Sequence, residues 1–166
     1  KVYAPAMTFG NIVELGITHC CLKPNADIEE AIHMCMDRYD VVHKEIMDAG
    51  IWKDYDSDGC FKRQQMIPEI LRMAVPIYRS FGNLEQAQHE VEYKFDDMPI
   101  PIRGFIDMEY SDTIRDLKTT GTAVKTRSDH LRQVSFYSLA TGKKAKLDYV
   151  YATKYKKELI TKTVHD

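Results

Sequence analysis

The chain has 166 residues, of which 44% are hydrophobic and 29% are charged, which is typical of one ordinary globular domain with an adequate core. The formal net charge of −2 excludes a uniformly basic nucleic-acid-binding protein, so any positive surface for such a partner must be local. No apolar run approaches the length of a transmembrane helix and no secretory signal is visible, and we therefore expect a cytoplasmic protein.

The first predicted helix covers Pro5 to Lys23. Its apolar residues form a band that includes Ile12, Val13 and Ile17, and Glu14 lies within this band. A carboxylate among aliphatic side chains is costly unless it is paired or bound to a metal. Glu14 is therefore a candidate site residue, and a surface glutamate paired with a nearby lysine is the alternative.

Two further helices are predicted before the first strand. The segment from Asn25 to Gly50 has a capping signal at its start, apolar residues at helical spacing and a glycine stop. Residues 51–60 are predicted to form a loop. Phe61 to Phe81 forms the third helix, and Pro68 and Pro76 inside it predict a kink or a break.

The next part of the chain alternates between apolar and polar residues, which predicts strands. The first strand runs over Gln86 to Asp97, and a turn leads into the second, Ile100 to Glu109. A tight polar turn with Tyr110 and Ser111 at its tip then leads into a third strand. We therefore expect an antiparallel meander of three strands.

Two carboxylates and one ammonium group are predicted to share one face of the hairpin that the second and third strands form. Asp116 and Lys118 face the same side of the third strand because side chains alternate with a period of two. A two-residue loop at Tyr110 and Ser111 would place Asp107 opposite Ile114, and hence on this same face.

This arrangement has a chemical use. Paired carboxylates on rigid strands hold Mg²⁺ or Mn²⁺, which prefer oxygen ligands. Such a metal polarises a phosphodiester and lowers the pKa of a bound water, and an adjacent lysine can orient that water or neutralise developing charge. The alternative is a surface hairpin whose aspartates and lysine are solvated and ion-paired.

A mildly basic segment, 119–127, connects this hairpin to a predicted helix at His130 to Ala140. Gln133 and Tyr137 lie one turn apart on the same face of that helix. A half-buried amphipathic helix would explain the same pattern. The sequence also offers candidate phosphate contacts, for which a solvated basic loop is the alternative, at Lys125, Arg127 and Arg132.

The last two predicted strands cover Lys146 to Thr153 and Glu158 to Val164. The resulting order of elements predicts one α/β domain over residues 1–166, without internal repeats. We expect a central mixed β-sheet that contains the antiparallel meander and is flanked by α-helices.

The segment Gly-Phe-Ile-Asp at 104–107, followed by Asp-Leu-Lys-Thr-Thr at 116–120, resembles the core of the PD-(D/E)XK nuclease superfamily. The resemblance is to its RecB-like and phage-exonuclease branch, which has a restriction-endonuclease-like nuclease core. Upstream, this branch carries a glycine followed four residues later by His or Glu, and Gly10 and Glu14 match that pattern. The likeness extends from about Gly10 to Thr153 and includes a Gln-x-x-x-Tyr pattern in the downstream helix.

The resemblance implies roles for these residues. Asp107 and Asp116 correspond to metal ligands, and Glu14 and the backbone carbonyl of Leu117 would complete the metal shell. Lys118 corresponds to the catalytic lysine. In the family, the glutamine and tyrosine lie near the active site. The catalytic residues that the resemblance implies are therefore Lys118, Asp107, Asp116, Gln133 and Tyr137.

The function that this resemblance implies is a deoxyribonuclease, with an exonuclease favoured, that uses one or two Mg²⁺ or Mn²⁺ ions. Its partner would be single-stranded DNA or a duplex end in a bacterial or phage-infected cell, and a homo-oligomer or a larger recombination or repair complex is open. Some relatives hold an iron–sulfur cluster through cysteines on both sides of the core. None is expected here, because no cysteine follows Cys60 and the four cysteines fit reduced thiols.

Three alternatives stay open at this point. One is a structure-specific or single-strand endonuclease with the same active site. Another is a non-catalytic nucleic-acid-binding or assembly protein. The third is a subunit of a larger DNA-processing machine. RecB-like domains usually begin with a segment before the first motif, whereas here only a short one precedes Gly10 and the chain opens on Lys1, so a shortened N-terminus is also open.

Overall fold

The computed structural model describes residues 4–50 and 56–164 and has an α/β fold. Three helices precede the sheet in the chain, and a fourth connects its third and fourth strands. The elements are α1 (Pro5–Leu22), α2 (Ile28–Asp48), α3 (Ser57–Ser80), β1 (Gln86–Tyr93), β2 (Ile102–Glu109), β3 (Thr113–Thr120), α4 (Ser128–Thr141), β4 (Lys144–Ala152) and β5 (Lys157–Thr163).

The five strands form one mixed sheet in the order β1-β2-β3-β4-β5. The pairs β1–β2, β2–β3 and β4–β5 are antiparallel, whereas β3 and β4 are parallel. A parallel pair needs a crossover connection, and α4 supplies it. The predicted fold class and the antiparallel meander are therefore confirmed.

The predicted register of the β2–β3 hairpin is wrong by two residues. The loop residues are Ser111 and Asp112, and the Tyr110 N–H donates to the Thr113 carbonyl at 2.8 Å. Tyr110 is only 3% exposed and packs edge-on against Phe81, so it is drawn out of the turn into the core. A shift of two residues keeps every side chain on its predicted face.

Continuing the observed register places Asp107 opposite Asp116 instead of Ile114. The paired residues nearest to this point are Met108 with Arg115 and Glu109 with Ile114. Residues opposite each other on neighbouring strands share a face and lie close together. The two predicted metal-binding aspartates would thus be closer together than in the predicted register, one position beyond the last pair of the ladder.

Of the kink or break predicted in the third helix, the break is wrong, because α3 continues through Pro68 and Pro76, and the kink stays a prediction. The buried residues of α3 recur along its length and pack with α1 and α2 against one face of the sheet. This packing holds the turns on both sides of each proline in one helix. The helix begins at Ser57, within the predicted loop 51–60, and residues 51–55 of that loop lie outside the described residues.

A buried ion pair fastens β3 to β4 on the side of the sheet that faces α3. The Arg115 Nη1 lies 2.9 Å from Oδ2 of Asp148, which is fully buried. Asp148 also accepts hydrogen bonds from the Tyr78 hydroxyl at 2.9 Å and the Thr161 hydroxyl at 2.6 Å. A buried carboxylate needs partners of this kind for its oxygen atoms, because it has lost its contact with water. These contacts therefore hold β3, the strand that carries Asp116, against β4 and α3.

Helix α4 packs with a second apolar cluster, which includes residues of β2, β3 and β4. It ends at Gly142, whose φ of 72° is the left-handed conformation of a helix C-cap. The helix therefore begins two residues before and ends one residue after the predicted His130 to Ala140. Within the described ranges, no helix is long and apolar enough to cross a membrane.

Candidate functional site

Asp107 on β2 and Asp116 on β3 lie at the centre of the candidate site. Asp116 is completely buried, and Asp107 is 9% exposed. The backbone N–H of Leu117 donates to Oδ2 of Asp107 at 2.7 Å. This bond ties the carboxylate of one strand to the backbone of the next, so the two acidic groups are held by the sheet itself.

Lys118 is the counter-ion of Asp116. Its Nζ lies 2.6 Å from Oδ2 of Asp116, and its side chain is 25% exposed. The two residues occupy alternate positions of β3, as the D-x-K spacing predicts. Burial works against the ammonium charge, but the carboxylates of Asp116 and Asp107 outweigh it and raise the pKa of Lys118.

Glu14 reaches the same site from α1. Its carboxylate accepts a hydrogen bond from the Gln88 amide, which also lies 3.4 Å from Oδ1 of Asp107. The structure therefore places the Glu14 carboxylate beside Asp107, and its role as a metal ligand stays a prediction. Gln88 on β1 is a member that the sequence analysis missed, because no motif or charge pattern marks it.

The three carboxylates destabilise one another's charge. Burial, together with the charges of Asp116 and Glu14, raises the pKa of Asp107 to about 8. Burial likewise raises the pKa of Asp116, against the opposing effect of Lys118. The pKa of Glu14 is also raised by burial, although the Gln88 hydrogen bond opposes the shift. A cluster of this kind binds protons or cations more readily than separate surface carboxylates do.

Gln133 and Tyr137 on α4 lie on the edge of this cluster. The Gln133 Nε2 donates to the Tyr137 hydroxyl at 2.9 Å, and Tyr137 is 4% exposed. The charges of Asp116, Asp107 and Lys118 all act on the Tyr137 phenol, whose pKa is raised chiefly by burial. Gln133 and Tyr137 are therefore hydrogen-bonded to each other, and the Tyr137 phenol lies within electrostatic range of the two aspartates and the lysine.

The predicted role of Leu117 rests on its backbone. Its side chain is buried in the cluster below α1, α2 and α3. The backbone contact that the structure shows is the N–H bond to Asp107, not one through the carbonyl. The carbonyl as a metal ligand stays a prediction.

The structure separates the three predicted phosphate contacts. Lys125 and Arg127 line a hollow of about 420 Å³ together with Lys118. Arg132 lines a different hollow, on the side of Gln133 and Tyr137. The Arg127 guanidinium is also held by both carboxylate oxygens of Asp129, at 3.0 and 2.8 Å. The three residues therefore do not form one basic patch. In the hollow of Lys118, the guanidinium of Arg127 is already paired with Asp129.

His130 is a second residue that the sequence analysis missed. It lines the hollow of Lys118, and its Nδ1 lies 3.0 Å from the Tyr149 hydroxyl. Burial and the nearby ammonium of Lys118 lower the pKa of His130. Only its place at the start of α4 could have pointed to it, since an isolated histidine is not a motif.

Within residues 4–50 and 56–164, no three His, Cys, Asp or Glu side chains are arranged as a ready metal site. The acidic groups instead have partners within the chain, which are the Gln88 amide, the Leu117 N–H and the Lys118 ammonium. The donor set nevertheless suits Mg²⁺ or Mn²⁺, because it consists of carboxylate oxygens. In the same described ranges, Oδ1 of buried Asp116 has no hydrogen-bond partner, and an unpartnered buried carboxylate oxygen fits a cation ligand.

The fold and the cluster together define an α/β protein with a buried acidic site that includes one lysine. No protein-family model matches the chain, and no curated protein matches it. The chain is similar to a solved structure described as "Crystal structure of SSO0001", with 15% sequence identity and a TM-score of 0.42. The similarity covers 77% of this chain and 61% of that one, so the chain spans about three fifths of its length.

Proposed function

We propose that this chain is a metal-dependent nuclease that hydrolyses phosphodiester bonds in DNA, with exonuclease action in recombination, repair or replication as the favoured mode. The observation that carries the proposal is the buried Asp107–Asp116 pair with Lys118 at 2.6 Å from Asp116. A buried ion pair with a raised-pKa carboxylate beside it contributes little net stability, so a chemical role is the better explanation.

A second line of support comes from the elements that supply the site. Glu14 lies on α1, the two aspartates lie on β2 and β3, and Tyr137 lies on α4. These four elements are spread along the chain, and their polar groups act on one another electrostatically. A solvated surface hairpin, the alternative explanation of the D-x-K pattern, would leave Asp116 exposed, whereas it is fully buried.

In this proposal, each of these residues has its own role in the reaction. Asp107, Asp116 and Glu14 would hold one or two Mg²⁺ or Mn²⁺ ions, and the bound metal would supply phosphate polarisation and water activation. Lys118 would orient the attacking water and stabilise the negative charge that builds up on the phosphoryl oxygens. Tyr137, supported by Gln133, would fix the position of Lys118 or of the scissile phosphate.

The experiment is a cleavage assay on end-labelled single-stranded and duplex DNA and on circular DNA, in Mn²⁺, Mg²⁺ or EDTA. The wild type is compared with Asp116→Asn and Lys118→Met, and with Asp112→Asn as a matched control, because Asp112 is an exposed acid in the same hairpin. We expect metal-dependent release from DNA ends, lost in the first two variants and kept in the control.

Three other results would change the proposal. Cutting of circular DNA would replace the exonuclease by an endonuclease. Equal activity in wild type, Asp116→Asn and Lys118→Met would show that the cluster is not the site. A folded wild type that binds DNA but cuts neither strand type in either metal would favour a non-catalytic binding subunit. Each result is compared with the same control.

A further inference from the structure

Gln88 is the one residue other than glycine with a positive φ among the described residues, at 51°. This is the left-handed region, which glycine, asparagine and aspartate tolerate far better than glutamine does. Gln88 lies within strand β1, where extended backbone is the rule. Strain of this kind persists only where the surrounding structure enforces it, and it concentrates at functional sites.

The strain coincides with a break in the pairing of β1 with β2. Ala87 pairs with Met108 and His89 pairs with Ile106, while Gln88 and Asp107 between them are not paired. Asp107 is the carboxylate that the candidate site shares between two strands. The pairing of β1 with β2 is therefore interrupted directly opposite Asp107, a proposed metal-binding residue. The neighbouring positions of the two strands are paired.

The side chain of Gln88 is directed into the acidic cluster. Its Nε2 donates to Oε1 of Glu14, which lies on α1, and is 3.4 Å from Oδ1 of Asp107 on β2. One amide group thus bridges carboxylates from two different elements, which have no donors of their own when they are ionised. A neutral amide can do this without adding charge to a site that already contains three acids.

We infer that Gln88 is a positioning residue that holds the Glu14 and Asp107 carboxylates at the separation that a divalent cation requires. The inference rests on the proposed function and extends it to a residue outside the motifs. The strained backbone directs the amide at both carboxylates. Residues that orient ligands in this way typically affect metal affinity or activity by about 10-fold to 100-fold.

The choice of variant makes the inference testable. Gln88→Asn keeps an amide and places a residue that accepts positive φ, but its side chain is one methylene shorter and cannot reach both carboxylates. Gln88→Gly removes the side chain and the steric strain together. Both changes favour the local backbone conformation, so a loss of metal binding in a stably folded variant is not a loss of fold. Gln86→Asn is the matched control, since Gln86 is an exposed glutamine of the same strand with an ordinary φ.

The measurement is calorimetric titration of the folded chain with MnCl₂ alone, together with the thermal midpoint of the metal-free protein. We expect Gln88→Asn and Gln88→Gly to keep or raise the midpoint and to weaken Mn²⁺ binding by about tenfold or more. Gln86→Asn should match the wild type in both measurements. Because the titration contains no DNA, it measures the effect of Gln88 on metal binding separately from any effect on substrate binding.

Three outcomes would overturn the inference in different ways. If Asp116→Asn loses Mn²⁺ binding while both Gln88 variants bind as the wild type does, Gln88 has no positioning role and the proposed function stands. A lowered midpoint with unchanged Mn²⁺ affinity likewise excludes a positioning role and assigns Gln88 to stability. If the wild type itself neither binds Mn²⁺ nor cleaves DNA, the proposed function fails, and this inference fails with it.

Discussion

A β-carbon added to Gly104 would lie 2.6 Å from Cε1 of Tyr137. Real β-carbons essentially never come so close to another atom, and the ring cannot move aside easily because Tyr137 is 4% exposed. The glycine on β2 is thus what lets the α4 tyrosine lie close against the strand of Asp107. The glycine at this position, three residues before Asp107, is therefore explained by its contact with a residue of another element.

The first prediction follows from this contact. Gly104→Ala should lower the free energy of unfolding by roughly 1–3 kcal/mol and reduce cleavage, because the added methyl group displaces Tyr137. Urea unfolding and the cleavage assay would measure the two effects. The control is Gly121→Ala, where the new β-carbon would make an ordinary contact of 3.5 Å with the Ala152 carbonyl. Equal losses in both variants would contradict the explanation.

The second prediction concerns pH. The folded-state pKa of Asp107, about 8, lies above its ordinary value of 3.8, so the folded chain binds the proton more tightly than the unfolded chain does. Stability from this group is complete below about pH 4 and is lost as the pH rises towards 8. Metal-free Asp107→Asn should therefore be more stable than the wild type at pH 8, by on the order of 5 kcal/mol, and nearly equal to it at pH 4.

Urea unfolding in EDTA at several pH values would measure this difference. Excess Mn²⁺ should reverse the order of stability at pH 8, because the cation binds the deprotonated carboxylate of the wild type and the amide lacks that charge. Asp112→Asn, at an exposed position, should show neither effect. A pH-independent difference between Asp107→Asn and the wild type would contradict the raised pKa.

The third prediction separates charge balance from chemistry. Lys118→Met should destabilise the metal-free protein by about 3 kcal/mol at pH 8, because it leaves the fully buried Asp116 without its counter-ion. Adding Asp116→Asn to Lys118→Met should restore most of this stability, since the buried charge is then gone. Neither variant should cleave DNA. A double variant as unstable as Lys118→Met would show that packing, not charge, causes the loss.

The fourth prediction concerns Lys125 and Arg127, which line the same hollow as Lys118. DNA binding is measured against salt concentration in an Asp116→Asn background that cannot cleave. Lys125→Ala should reduce the salt slope by about 0.7–0.9, the contribution of one phosphate contact. Arg127→Ala should change it less, because Asp129 already holds this guanidinium. Lys162→Ala, on the edge strand β5, is the control, and an equal effect there would indicate a non-specific charge contribution.

The sequence predicted the layers of the fold because periodicity and turn residues are local signals. It placed α1 to within one residue of its observed end, since Pro5 and the apolar band define that helix. It did not place the hairpin register, because Tyr110 resembles a turn residue locally and is buried only through packing on Phe81. Tertiary burial overrode the local turn signal.

The site was predicted through motif residues and missed where geometry alone selects the residue. Charge or a recognisable spacing marks the motif residues, which are Glu14, Asp107, Asp116, Lys118, Gln133 and Tyr137. Gln88 carries neither, and its role follows from one backbone angle and two contacts that no local pattern encodes. Lys125 and Arg127 precede α4 and line one hollow, whereas Arg132 lies on the helix and lines another, a separation that the sequence pattern does not encode.

The distribution of the cluster over the chain has a consequence for the order of folding. Glu14 and Gln88 are 74 residues apart, and β3 lies between a strand made before it and one made after it. Contacts of such long sequence separation form late and slowly, because the loop between them must first be closed. During synthesis, the helix that carries Glu14 leaves the ribosome well before β4 can flank Asp116. The acidic cluster can therefore assemble only after β3, the last element that supplies one of its carboxylates, has been made.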